Sequence, residues 1–81
     1  MWKVNAEATG ALIKQKCQEN GYTPKQLSEI FKVTLTVPYL WFTGAAMPKI
    51  DNLVGLSKLC KCTIEELLVV EEVGEENGES I

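Results

Sequence analysis

The sequence predicts an all-α fold, a compact bundle of five short helices, and three observations carry that expectation. Apolar residues recur at helical spacing in several short runs. Two capping boxes, Thr23 with Gln26 and Thr63 with Glu66, mark helix starts, and Asn20-Gly21 and Gly44 stand where runs stop. At 81 residues the chain has the size of one small domain, and its 46% apolar content is enough to fold it.

The first helix is expected from Ala6 to Asn20, where Ala6, Thr9 or Gly10, Ile13 and Cys17 fall on one face with Leu12 beside them. The second opens at Thr23, with Pro24 at the first helical position and Tyr22 stapled against Leu27. It runs to about Phe31, burying Leu27 and Ile30 and leaving Lys25, Glu29 and Lys32 in water. The third has a less clean start. Thr34 and Thr36 each offer a cap, while Pro38 removes an amide and biases Val37 away from helix, so a short helix from Thr36 or Pro38 to Thr43 is predicted, closed by Gly44. After Met47-Pro48, the residues Ile50, Leu53, Val54, Leu56, Leu59 and Cys60 predict the fourth. The second capping box then opens the fifth through Leu68 or slightly beyond, with Cys62 and Leu67 as its staple. Val69, Val70 and Val73 extend that helix or pair as a strand, and the pattern does not choose between the two.

Charge is unevenly spread. The net −3 conceals a body, residues 1–64, with 8 Lys against Glu7, Glu19, Glu29 and Asp51, and a segment after it with seven Glu and no base. A basic body suits a polyanion, although lysines on a small domain also serve as a solvated face. Residues 1–73 are assigned to the folded domain and 74–81, polar and acidic, to a disordered tail. The longest stretch without a charge, Val33 to Pro48, has 16 residues and is broken by Thr, Gly and Pro. A membrane span needs roughly 20 apolar residues, so none is expected. Nor does the N-terminus, with Lys3 and Glu7, read as a secretory signal, and a cytoplasmic location is expected.

Enzymatic chemistry is not expected. There is no His, no nucleophile beside a base and no Gly-rich phosphate loop. Glu65-Glu66 and Glu71-Glu72 are neighbours in sequence, so each pair diverges on a helix and reads as solvated or capping acids. Cys17, Cys60 and Cys62 lack metal-ligand spacing and read as reduced, small apolar residues, and no cofactor or metal is called for.

The region from about Gly10 to Leu68 resembles the phage-repressor or Cro-like (XRE-type) helix-turn-helix family. Ile13-Lys14, Gly21-Tyr22-Thr23, Leu27-Ser28-Glu29-Ile30, Val33-Thr34, Trp41, Gly44, Pro48, Asp51-Asn52-Leu53, Leu56-Ser57, Leu59 and Thr63 through Leu68 stand where that family keeps its usual residue types. Each piece is unspecific and the combination is specific. The residues make physical sense without the family: Ser28 is small where a neighbouring helix crosses, Val33 plugs the core at the turn, and Trp41 packs inward as a large filler. The resemblance implies a lambda-repressor-like bundle that binds double-stranded DNA as a homodimer and regulates transcription, with the third helix in the major groove.

The reading surface departs from the family. Pro24 replaces a phosphate-holding Gln, Ala45 and Ala46 stand where basic residues are common, and Lys32 takes a position usually given to Gly, which suggests an altered turn. Without Arg, the commonest bidentate contact to guanine is missing. The candidate DNA contacts are then Lys25, Lys32 and Lys49 on phosphates, Thr34 and Thr36 as short donors, Tyr39 at a base edge or a methyl, and Leu35 and Leu40 on thymine methyls. These departures also support a second function. Leu35, Val37, Tyr39, Leu40 and Phe42 would form an apolar third-helix surface that docks a protein partner or a second copy.

Overall fold

The computed structural model describes residues 1–74, so residues 75–81 of the expected tail lie outside the described residues. In chain order the elements are β1 (Trp2–Val4), α1 (Ala6–Glu19), α2 (Pro24–Phe31), α3 (Thr36–Thr43), α4 (Ile50–Leu59), α5 (Ile64–Leu67) and β2 (Val70–Glu72).

Local chemistry accounts for most boundaries. Asn5 caps α1 by accepting from the Ala8 amide at 2.9 Å. Both capping boxes form. The Thr23 hydroxyl accepts from the Gln26 amide at 3.2 Å while Gln26 Oε1 accepts from the Thr23 amide at 2.9 Å. Thr63 and Glu66 repeat the pattern at 3.1 and 2.8 Å, and the Thr63 amide holds the Glu66 carboxyl below the usual range for a glutamate. The start of α3 differs from expectation, because neither Thr34 nor Thr36 caps it with a side chain and Leu35 occupies the cap in a right-handed helical conformation. Pro38 lies within the first turn, where an amide has no intrahelical acceptor, so the proline costs α3 no hydrogen bond.

The turn after α2 keeps its left-handed residue. Lys32 has φ 56° and ψ 47°, and its amide and that of Val33 both reach the Ser28 carbonyl. The altered turn expected from a lysine here does not occur; the tight closure is retained at a conformational cost of about 1 kcal/mol.

The core gathers Ile13 and Cys17 from α1, Leu27 from α2, Trp41 and Phe42 from α3, Leu53 and Leu56 from α4, and Cys60 and Leu67 around α5. Trp41 is only 2% exposed, and its ring meets Phe31 edge-on at 5.6 Å. Two expectations fail. Ile30 is exposed, because α2 turns Leu27, Ser28 and the half-buried Phe31 inward instead. Val33 is half-buried and stands outside the core cluster, while Val37, one turn further along, packs against it.

Close approach of two backbones sets the place of α3. A Cβ built on Gly10 of α1 would lie 2.7 Å from the Phe42 carbonyl oxygen and 2.9 Å from the Gly44 nitrogen. Gly44, with φ 83°, ends α3 in the left-handed region and sits equally close to the Ala6 backbone. The two glycines therefore let the C-terminal end of α3 rest directly on α1.

The all-α expectation needs one correction, since β1 and β2 form an antiparallel ribbon with Trp2 opposite Glu72, Lys3 opposite Glu71 and Val4 opposite Val70. Val69-Val70 thus leaves the helix, and α5 ends at Leu67. Long-range bonds explain the choice. The Asn5 amide donates to the Val69 carbonyl at 2.8 Å, the Val69 amide to the Thr9 hydroxyl at 2.9 Å, and the Val73 amide to the Met1 carbonyl at 2.7 Å. Asn5 Nδ2 donates to Glu71 Oε2 at 2.7 Å, so one asparagine caps α1 and ties β2. No helix among the described residues is long and apolar enough to cross a membrane.

Candidate nucleic-acid interface

The residues of interest come from the two ends of α2, the turn after it and the outward side of α3. On α3 the residues Pro38, Trp41 and Phe42 face the interior, with Val37 packed beside them. Helical periodicity then sends Thr36, Tyr39, Leu40 and Thr43 outward. Thr34 and Leu35, just before the helix, are exposed as well, and Leu35 and Tyr39 keep about half of their surface, 50% and 53%.

Each sequence-predicted contact residue is accordingly on the surface: Lys25 in the first turn of α2, Lys32 at its C-terminal cap, Thr34 and Leu35 in the turn, and Thr36, Tyr39 and Leu40 on α3. Lys49 caps α4 on a separate segment. Among the described residues, no carboxylate pairs with the Lys25 or Lys32 ammonium, and the Thr34 and Thr36 hydroxyls have no internal hydrogen bond. Two cations and two short polar groups therefore remain available to an external partner. Thr43 differs, because its hydroxyl donates to the Leu40 carbonyl at 3.2 Å and accepts from the Ala45 amide at 3.3 Å.

Of the five residues proposed for protein docking, a helix can expose only part, and three stay on the surface. Phe42 is only 8% exposed and Val37 is half-buried against the core, which leaves Leu35, Tyr39 and Leu40. The helix cannot offer all five residues to a partner and still be anchored by two of them.

A groove of about 310 Å³ runs between α1, the start of α2 and the end of α3, lined by Lys14, Gln18, Tyr22, Pro24, Tyr39, Phe42 and Thr43. It joins Tyr39 to the start of α2. It also adds Lys14 and Gln18, which sequence reasoning left out of the site. The available signal was their spacing, four apart on α1 and one residue beyond the buried Ile13 and Cys17, which puts both on one exposed stripe bordering the core face. Lys25, Lys32, Thr34, Leu35, Thr36 and Leu40 do not line this groove.

The arrangement suits electrostatic and shape-based contact. Lysines at both ends of α2 can meet phosphates, while threonine, tyrosine and leucine on α3 offer short hydrogen bonds and methyl contacts. Among the described residues, no group of three or more His, Cys, Asp or Glu is arranged to hold a metal ion. Compared with protein-family models, curated proteins and solved structures, the chain matches none.

Proposed function

We propose that this chain is a DNA-binding transcriptional regulator of the lambda-repressor-like helix-turn-helix type, acting as a homodimer with α3 in the major groove. The observation that carries the reading is the two-sidedness of α3. Its inner side is fixed by Trp41 and Phe42, and its outer side presents Thr36, Tyr39 and Leu40, while Lys25 and Lys32 at the two ends of α2 are exposed and unpaired. A helix anchored on one side and free on the other, preceded by a helix that carries exposed cations, is the form that groove reading requires. In this reading Lys25 and Lys32 contact phosphates, Thr34 and Thr36 donate to the backbone or to base edges, and Tyr39, Leu35 and Leu40 lie against thymine methyls. The lack of arginine and the uncharged α3 favour an A·T-rich site read largely by shape and methyl contact.

The test is a titration with duplex DNA at several salt concentrations. Each phosphate contact contributes about 0.9 to the logarithmic salt slope, so removing both lysines is expected to flatten it by about 2, with similar weakening on every sequence. Lys32→Gly makes this informative, because glycine relieves the left-handed strain and is expected to raise stability by up to about 1 kcal/mol while DNA affinity falls. Unchanged affinity in a more stable Lys32→Gly protein would remove Lys32 from the interface.

The second reading keeps the same scaffold and makes the outer side of α3 a protein interface. One observation favours it: Leu35, Tyr39 and Leu40 are large, exposed and apolar on a helix with no charged residue. Solution mass separates the two. An oligomer that is stable, indifferent to salt and unresponsive to duplex DNA would transfer the assignment to protein docking.

A further inference from the structure

Two cysteines far apart in sequence, Cys17 and Cys60, meet inside the bundle. Cys17 on the inner side of α1 is fully buried, Cys60 at the C-terminal cap of α4 is 6% exposed, and their sulfurs are 3.9 Å apart. Cys62, two residues on, is half-buried. The contact between Cys17 and Cys60 spans 43 positions, and the intervening chain contains the whole of α2, the turn and α3. A disulfide requires sulfurs about 2 Å apart. The present separation is that of a thiol–thiol contact between reduced cysteines.

We propose that Cys17 and Cys60 form a latent, redox-sensitive staple: a two-electron thiol oxidant such as hydrogen peroxide joins their sulfurs and locks α1 to the end of α4. In the step, each thiol gives up its proton and the pair gives up two electrons. A sulfur–sulfur bond forms, the peroxide oxygen–oxygen bond breaks, and two water molecules leave. Thiol reductants reverse it. Burial pushes the Cys17 thiol up to about 12, with Cys60 and Cys62 adding to the shift, and burial raises Cys60 as well. Both thiols stay protonated at neutral pH, so the staple closes slowly and only under sustained oxidant. Once closed it restrains the unfolded chain over a long loop and fixes the frame that carries α3. The inference stands independently of what α3 binds.

The experiment is oxidation of the native full-length chain by hydrogen peroxide, followed by a thiol count, intact mass and non-reducing peptide mapping. Trypsin cuts after Lys16, Lys58 and Lys61, so Cys17, Cys60 and Cys62 fall on separate peptides. The expected result is loss of two of the 3 thiols within one chain, a Cys17 peptide joined to a Cys60 peptide, and a rise in Tm of about 10 °C or more that dithiothreitol reverses. Cys62→Ala is expected to keep the staple and Cys17→Ala to abolish it. Retention of all thiols by the wild-type chain, a link made through Cys62 or between chains, or a Tm that stays constant or falls would overturn the proposal. Because the mapping is done on the wild-type protein, a variant that fails to fold does not decide the matter.

Discussion

Gly10→Ala is expected to destabilise the protein by about 2–3 kcal/mol, against the direction that helix propensity alone would give. Glycine inside a helix costs roughly 0.8–1 kcal/mol relative to alanine, so the substitution in an open helix would stabilise. Here the new methyl would lie 2.7 Å from the Phe42 carbonyl oxygen and 2.9 Å from the Gly44 nitrogen, and it would press on the Trp41 carbonyl too. These are backbone atoms and cannot rotate away. Either α3 lifts off α1, taking Trp41 and Phe42 partly out of the core, or the helix ends distort. Gly55→Ala in α4 is the matched control. There the nearest atoms belong to the ring of Phe31, a half-buried side chain that can shift where backbone cannot, so the loss should be smaller. Urea denaturation of the pair checks the ranking, and a Gly10→Ala protein as stable as its parent would contradict the close packing of α1 on α3.

Trp41→Ala is expected to cost about 3–5 kcal/mol, the usual range for emptying a large aromatic from a core. The side chain is 2% exposed and forms an edge-on pair with Phe31, so its removal leaves a cavity at the junction of α2 and α3 and strips the Phe31 ring of its partner. Small domains have only about 5–15 kcal/mol of stability in total, and a loss of this size leaves many of them partly unfolded at 37 °C. Far-ultraviolet circular dichroism against urea or temperature measures the change. Trp41→Phe, which keeps a ring in the site, should lose clearly less. If it is DNA contact and not packing that requires Trp41, Trp41→Ala would keep its stability and lose only binding.

The helices were legible because their ends are marked locally. Thr23 with Gln26 and Thr63 with Glu66 each bring donor and acceptor together within three residues, so sequence spacing determines the geometry. The ribbon was only half legible, its second strand an open alternative and its first unforeseen, for the opposite reason. Trp2-Lys3-Val4 and Val70-Glu71-Glu72 are three residues each, no turn joins them, and their pairing depends on Asn5, Thr9 and Val69 meeting across the fold. Ile30 and Phe31 show a finer limit. Counting three or four residues on from Leu27 gives one or the other, and packing against Trp41 selected Phe31.

The candidate site divides along the same line. Exposure of Leu35, Thr36, Tyr39 and Leu40 follows from placing Trp41 inside, and both expectations could be made from residue types alone. The groove that sets Lys14 and Gln18 beside Pro24 and Tyr39 depends on how α1 crosses the next two helices. No short window of sequence contains that crossing. Helical periodicity limits how much of an apolar helix is exposed but does not say which residues anchor it: of the five candidates for an outer patch, Val37 and Phe42 pack on the core.

The β1–β2 clasp has a consequence for topology. With the Val73 amide bonded to the Met1 carbonyl at 2.7 Å, the helices lie on what is nearly a closed ring of chain. Joining residue 73 to residue 1 through a short hairpin turn and opening new termini at the exposed Gly21, where an added carbon would meet nothing within 4 Å, should yield a circular permutant with the same bundle. In such a rearranged chain α2 would come first and α1 last, while the outer side of α3 would present the same residues.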